Sequence, residues 1–123
     1  MATMTRKEYA EMYDFRAVIN RCGVLTGPWQ MGKVDQGFVV LWAARHHWKR
    51  GLSYMGFGGT GHQVRDMLHV DDLFRLLLLQ LENGTHRLVY NVGGGFKGSV
   101  SLRQASQICA ELSGNELNIG SVP

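Results

Sequence analysis

Arg65-Asp66-Met67-Leu68-His69-Val70-Asp71-Asp72 is the stretch of this chain richest in groups that could do chemistry. An Arg fork beside a glycine-flanked turn can grip two phosphate oxygens at once, and Asp66 could hold the guanidinium in place. The same residues fit a plainer arrangement, in which Arg65 pairs with Asp66 or Asp71 while Asp71 and Asp72 favour the N-terminus of the following helix. Composition leaves both open. A second candidate, Gly56-Phe57-Gly58-Gly59-Thr60-Gly61, has the G-x-G-x-x-G spacing that brings backbone amides up to a dinucleotide pyrophosphate. His-Gln-Val-Arg-Asp follows it, not the small-residue start of a helix, which argues for a ligand-side or structural turn.

Other reactive types are thinly spread. His46, His47, His62, His69 and His86 contain no HxxxH or HExxH pair, so satisfied core or surface histidines are expected and no metal site. Trp42 and Trp48 read as core or rim aromatics, whereas Trp29 lies in the Gly/Pro loop from Gly27 to Gly32, where a flat ring could stack on a base or sugar. Cys22 and Cys109 form no CxxC pair, which fits a reduced, cytoplasmic protein without a disulfide framework or zinc. No nucleophile elbow, P-loop or triad order is present.

The elements that must carry these residues alternate. A short amphipathic helix is expected from Lys7 to Tyr13, a strand over Ala17 to Asn20, and a helix from Val34 to Trp48 with Asp35 in its first turn. A strand over Leu52 to Met55 precedes the glycine loop and a polar turn from His62 to Asp66. The strongest helix runs from His69 to Glu82, with Leu76 to Leu79 apolar almost all round and therefore expected to be deeply buried. Arg87 to Val92 reads as a strand, Ser101 with Gln104 as a capping box, Gly114 as a helix stop, and Leu117 to Ile119 as a last strand. Strands alternating with helices mean an α/β fold.

Composition bounds the function. At 123 residues and 13.8 kDa, with 45% hydrophobic and 19% charged residues, the chain predicts one globular domain, 1–123, with no internal repeat or linker. Its 13 basic residues give a net charge of +3 but form no run longer than Lys49-Arg50, which ranks nucleic-acid binding last among the readings. The start carries no apolar leader, and the apolar stretches from Phe38 to Ala44 and from Leu76 to Leu79 are too short to cross a bilayer. A soluble protein that does not engage membranes is expected.

Several segments kept in order across nearly the whole chain resemble the NAD-dependent sugar-nucleotide epimerase/dehydratases of the extended short-chain dehydrogenase/reductase superfamily. They are Arg21-Cys22-Gly23-Val24-Leu25-Thr26-Gly27-Pro28, Asp35-Gln36-Gly37-Phe38, Gln63 through Leu73, Tyr90-Asn91-Val92-Gly93-Gly94-Gly95 and Ser101-Leu102. Trp29-Gln30 and Asp35-Gln36-Gly37 are similar to the branch that acts on CDP-sugars. The resemblance covers only the carboxy-terminal, substrate-binding portion of such an enzyme. It implies an N-terminal Rossmann domain with the NAD glycine loop, and a Tyr-x-x-x-Lys whose Lys would fall just upstream of Met1. Neither Tyr9 nor Tyr13 has a Lys at the required spacing.

By this resemblance Arg65 contacts the nucleotide diphosphate, and Gln36 and Tyr54 lie near the nucleotide pocket. Val24 stands where many relatives place a substrate-contacting Asn. Cys22 and Gly23 lie beside the nicotinamide of NAD, provided a Rossmann half is supplied. The isolated chain is then expected to bind a nucleotide sugar, a CDP-sugar among the candidates, to hold no cofactor and to perform no catalysis alone. The alternative is a non-catalytic structural or self-association module, a gene remnant. Surfaces that would pack on the missing sheet predict a homo-oligomer in either case.

Overall fold

Short strands separated by glycines build three small sheets. The computed structural model describes residues 8–33, 37–84 and 88–123, and of Leu88 only the backbone. Residues 8–12 are helical and end in a turn at Tyr13 and Asp14, while Lys7 lies outside the described residues. β1 (Val18–Cys22) pairs in parallel with β5 (Leu88–Val92), in register from Val18 opposite Leu88 to Cys22 opposite Val92. β2 (Val24–Thr26) runs parallel to β4 (Val64–His69), whose first half pairs antiparallel with β6 (Ser99–Ser101). β3 (Ser53–Met55) pairs in parallel with β7 (Gly120–Val122). The helices are α1 (Phe38–His47), α2 (Val70–Glu82), the single turn α3 (Gly95–Gly98) and α4 (Leu102–Ser113). The fold is mixed α/β with parallel sheets.

Local chemistry explains most boundaries. Ser101 accepts from the Gln104 amide while Gln104 Oε1 accepts from the Ser101 amide, so the expected capping box starts α4, and Gly114 ends it in a left-handed conformation. α2 begins one residue later than expected, because His69 takes the N-cap, its Nδ1 accepting from the Asp71 amide at 3.2 Å. α1 begins at Phe38 behind a left-handed Gly37, so it is shorter than the expected helix, and Val34, Asp35 and Gln36 lie outside the described residues, as does Arg87 before β5.

Four expectations are corrected. The segment read as a polar turn from His62 to Asp66 supplies, over Val64 to Asp66, the first half of β4, because antiparallel pairing with β6 outweighs its polar composition. β2 restarts the chain after Gly23 where no strand was expected. The last strand is Gly120–Val122; Leu117 and Ile119 turn inward instead and pack on the core of Trp42, Leu52 and Leu102. The leucines of α2 are not deeply buried: Leu77, Leu78, Leu79 and Leu81 are exposed, and Gln80 is the helix's buried residue. Gln80 exchanges two 2.9 Å amide hydrogen bonds with Asn20 of β1, which turns that face inward and the leucines outward.

Two contacts lock the parts together. In the core, Ser106 Oγ donates to the Leu102 carbonyl at 2.8 Å and accepts from Trp42 Nε1 at 2.9 Å; having one proton, it must also accept from the Tyr54 hydroxyl, 2.8 Å away. At the junction of two sheets, Asp66 and Met67 of β4 press against Gly23, Gly93 and Gly94. A Cβ on Gly23 would stand 2.9 Å from the Asp66 carbonyl oxygen, and one on Gly93 would collide with the Asp66 carboxylate.

Ser106→Ala strands the buried Trp42 indole N–H and is expected to lower stability in urea denaturation by about 1–3 kcal/mol. Gly93→Ala should destabilise by about 1–3 kcal/mol through the Asp66 collision. Most of that loss should disappear in the Gly93→Ala, Asp66→Ala double variant, and strict additivity in the cycle would refute the contact.

Candidate functional site

Alternation along β3 separates two faces. Ser53 and Met55 face a cleft of about 280 Å³ bounded by Phe38, Leu41, Trp42 and Arg45 of α1 and by Leu102. The four α1 residues recur at helical spacing and so form one face of that helix. Tyr54 instead lines a more open groove of about 650 Å³ with His46, Arg103, Ser106 and Glu111, its hydroxyl bound to Ser106.

The cleft is tied to β4. Gln63 Nε2 donates to the Met55 carbonyl at 3.3 Å, and the Leu102 amide donates to the Gln63 carbonyl at 3.3 Å. Two residues on, Arg65 is exposed and spends one N–H on the adjacent Val64 carbonyl at 3.1 Å. It pairs with neither Asp66 nor Asp71, which corrects that half of the plainer arrangement, while Asp71 and Asp72 do stand in the first turn of α2. Asp66 is turned into the glycine junction, and Asp71 lies 3.5 Å from His69 Nδ1. A guanidinium with no carboxylate partner among the described residues is open to an anionic ligand.

The remaining sequence candidates fall around the ends of parallel strands, where ligands of open α/β sheets bind. Cys22 is exposed at the end of β1, Gly23 donates its amide to the Val92 carbonyl at 2.8 Å, and Val24 stands opposite Met67 of β4. Gly23 is thereby brought against Asp66 and Val24 beside Met67, with Cys22 opposite Val92, whereas Tyr54 lies on the far side of β3 and Gln36 is outside the described residues. Asp66 Oδ1 is buried with no hydrogen-bond partner. Trp29 is 99% exposed with φ of 67°, next to Gln30, whose Nε2 donates to the Leu25 carbonyl. Burial pushes the Cys109 thiol above its ordinary pKa, so it is the less reactive form of a cysteine.

Ser53, Met55, Arg45 and Gln63 escaped the sequence reading, though the helical spacing of Phe38, Leu41, Trp42 and Arg45 was the signal for one wall. The Gly56–Gly61 loop folds as a 3-10 turn at Phe57–Gly59 and packs on β7 and Tyr54: a Cβ on Gly59 would collide with Ser121, and one on Gly61 would stand 2.8 Å from the Tyr54 ring. It opens no helix and presents no pyrophosphate cradle, so these residues do not fit a dinucleotide. No group of three metal-ligating side chains occurs among the described residues, and none of their helices is long and apolar enough to cross a membrane.

Comparison with known proteins agrees with this geometry. CDP-paratose 2-epimerase of Salmonella typhi is 26% identical over 120 residues, covering 94% of this chain and 36% of its own length. dTDP-D-glucose 4,6-dehydratase of Bos taurus is 34% identical over 95 residues, 76% of this chain and 25% of its own. The chain therefore spans about a third or less of the length of these curated relatives. Among solved structures, UDP-glucose 4-epimerase of Thermotoga maritima, determined with UDP-glucose, superposes with a TM-score of 0.80 at 24% identity over 98% of this chain and 38% of its own. UDP-glucose 4-epimerase of Thermus thermophilus, in complex with NAD, gives 0.83 at 24% identity over the same shares. The NAD dependent epimerase/dehydratase family matches residues 1–93, a span that runs from the N-terminal helix through β4, α2 and β5. On sequence and fold together, the chain belongs to the NAD dependent epimerase/dehydratase family.

Proposed function

We propose that these 123 residues form the nucleotide-sugar-recognising portion of an NAD-dependent epimerase/dehydratase. The observation that carries the reading is the carboxylate-free guanidinium of Arg65 on a strand joined through Gln63 to a small, mostly apolar cleft. Such a pairing of a phosphate-gripping fork with a ring-sized slot suits a nucleoside diphosphate sugar. The relatives' names, which include CDP-paratose, dTDP-D-glucose and UDP-glucose, are of that class. In this reading Arg65 holds the diphosphate, Val24 lies beside the sugar without offering a polar contact, and Gln36 and Tyr54 border the nucleotide. Cys22 and Gly23 approach NAD when the residues that bind it are supplied from outside this sequence.

Hydride transfer then depends on groups these residues do not provide. No Tyr here has a Lys four positions later, and the Gly56–Gly61 loop opens no helix. The 123 residues alone therefore bind in the cytoplasm but do not turn over. Arg65→Ala should weaken UDP-glucose and CDP-glucose by about 10–100-fold in calorimetry, the loss of one charge-assisted contact, with an unchanged circular dichroism spectrum. Unaltered affinity would remove Arg65 from the site.

One observation favours the second reading, a self-associating module. Phe74, Leu77, Leu78 and Leu81 are exposed on α2, and among the described residues β1 pairs with β5 alone, so an apolar helix and an open strand edge are both available to another copy. Light scattering after gel filtration at tens of micromolar should give a dimer or larger species, and Leu77→Glu with Leu81→Glu should return it to monomer. A clean wild-type monomer would rule this out.

A further inference from the structure

His46, on α1, is 1% exposed. Its Nδ1 lies 2.8 Å from the Trp42 carbonyl, one turn back along the helix. A carbonyl oxygen only accepts, so Nδ1 carries the proton of the neutral ring and Nε2 keeps a lone pair. No described residue donates to Nε2. A buried acceptor without a donor is costly, and His46 lines the groove of about 650 Å³ described above, so a donor can reach the ring only by entering that groove.

The groove is held in shape by its own hydrogen bonds. Asn115 Nδ2 donates to the His46 carbonyl at 3.0 Å, which ties the segment carrying Glu116 to the end of α1. Gln107 Nε2 donates to Glu111 Oε1 at 3.1 Å, one turn along α4, and so orients that carboxylate. Neither Glu111 nor Glu116 forms an ion pair among the described residues. Arg103, the one cationic side chain among the groove's described lining residues, spends an N–H on His62 Nε2 at 3.0 Å. Two carboxylates against one guanidinium leave the groove an excess of negative charge. Leu117 and Ile119 give it an apolar wall, while the Tyr54 hydroxyl is already bound to Ser106.

We propose that this groove binds a small alkyl amine, whose ammonium donates to His46 Nε2 and to the carboxylates of Glu111 and Glu116 while its hydrocarbon stem lies along Leu117 and Ile119. An ammonium has three N–H donors and no acceptor, which suits a lining that offers an orphan lone pair and two unpaired carboxylates. A hydroxyl brings one donor and no charge, and answers one of the three. The volume is within the roughly 300–1,000 Å³ of small-molecule pockets, so the amine has room for a stem of several carbons. An anionic nucleotide sugar is disfavoured by the two glutamates, so the site is separate from the one built on Arg65 and does not depend on the nucleotide-sugar reading.

Proton–nitrogen NMR of the histidine rings, with calorimetry, tests the proposal on the 123-residue chain, using n-butylamine as probe and n-butanol as its uncharged counterpart. The free chain should show His46 as the neutral tautomer protonated on Nδ1. n-Butylamine should move the His46 Nε2 resonance and bind at least about 10-fold more tightly than n-butanol. Glu111→Gln and Glu116→Gln change exposed side chains, so both variants should keep the wild-type circular dichroism spectrum, and each should weaken n-butylamine by about 3–10-fold. Arg65→Ala should leave n-butylamine binding unchanged. A His46 proton found on Nε2, a resonance unmoved by saturating n-butylamine, or equal binding of n-butanol would overturn the proposal. So would affinity unaltered in both glutamine variants. Displacement of n-butylamine by UDP-glucose would put the two ligands in one site and overturn the assignment of a separate one.

Discussion

The close approach of β4 to three glycines governs how this molecule is arranged. Asp66 and Met67 lie against Gly23, Gly93 and Gly94 with no room for a Cβ on Gly93 or Gly94, so the β1–β5 pair and the β2–β4–β6 sheet meet with backbones almost touching. β4 pairs with β6 up to Asp66 and with β2 from Met67 onward, so its direction is fixed on either side of the junction, and with it the placement of Arg65 one residue before. Asp66 contributes by turning its carboxylate into the junction against Gly93, where it does not pair with Arg65. The guanidinium is left free by a packing constraint, not by a lack of carboxylates nearby.

Where local chemistry decided the structure, the sequence was readable. The Ser101–Gln104 box, the Gly114 stop and the acidic first turn of α2 are determined by residues within one helical turn of each other, and each appears where its residues stand. Where pairing between distant segments decided, it was not. Val64 to Asp66 is polar enough to read as a turn, and pairing with the distant β6 makes it extended. The leucines of α2 read as core because a four-leucine run is apolar on every side, yet a single amide pair between Gln80 and Asn20 sets which side faces in.

The same division runs through the site. Arg65 stands out in the sequence as a guanidinium near glycines, and the fold leaves it exposed on β4 with no carboxylate partner among the described residues. Tyr54 lines the groove with His46 and Ser106, while its strand neighbours Ser53 and Met55 face the opposite cleft, a division that the strand's alternation sets. Arg45 was hidden because a helical arginine is ordinarily a solvated residue, and only the position of β3 and Leu102 shows that this one borders an apolar slot. Family membership could not reveal these directions, since it fixes the order of elements and not which side chain turns toward which face.

The pairing of β1 with β5, and of β3 with β7, carries a consequence for how the chain reaches its native state. In each pair the two strands are separated by more than half the chain and run parallel, so neither can form as a hairpin. Loop closure must precede the reward of strand contact, which makes such pairings slow compared with the formation of α2 or α4 from their own local signals. The helices are thus available early, with the leucines of α2 uncovered, while the strands that order the ends of the site arrive late. During that interval the chain presents its stickiest surface before its binding residues are in place, and the rate of strand docking, more than final stability, sets how much of it escapes aggregation.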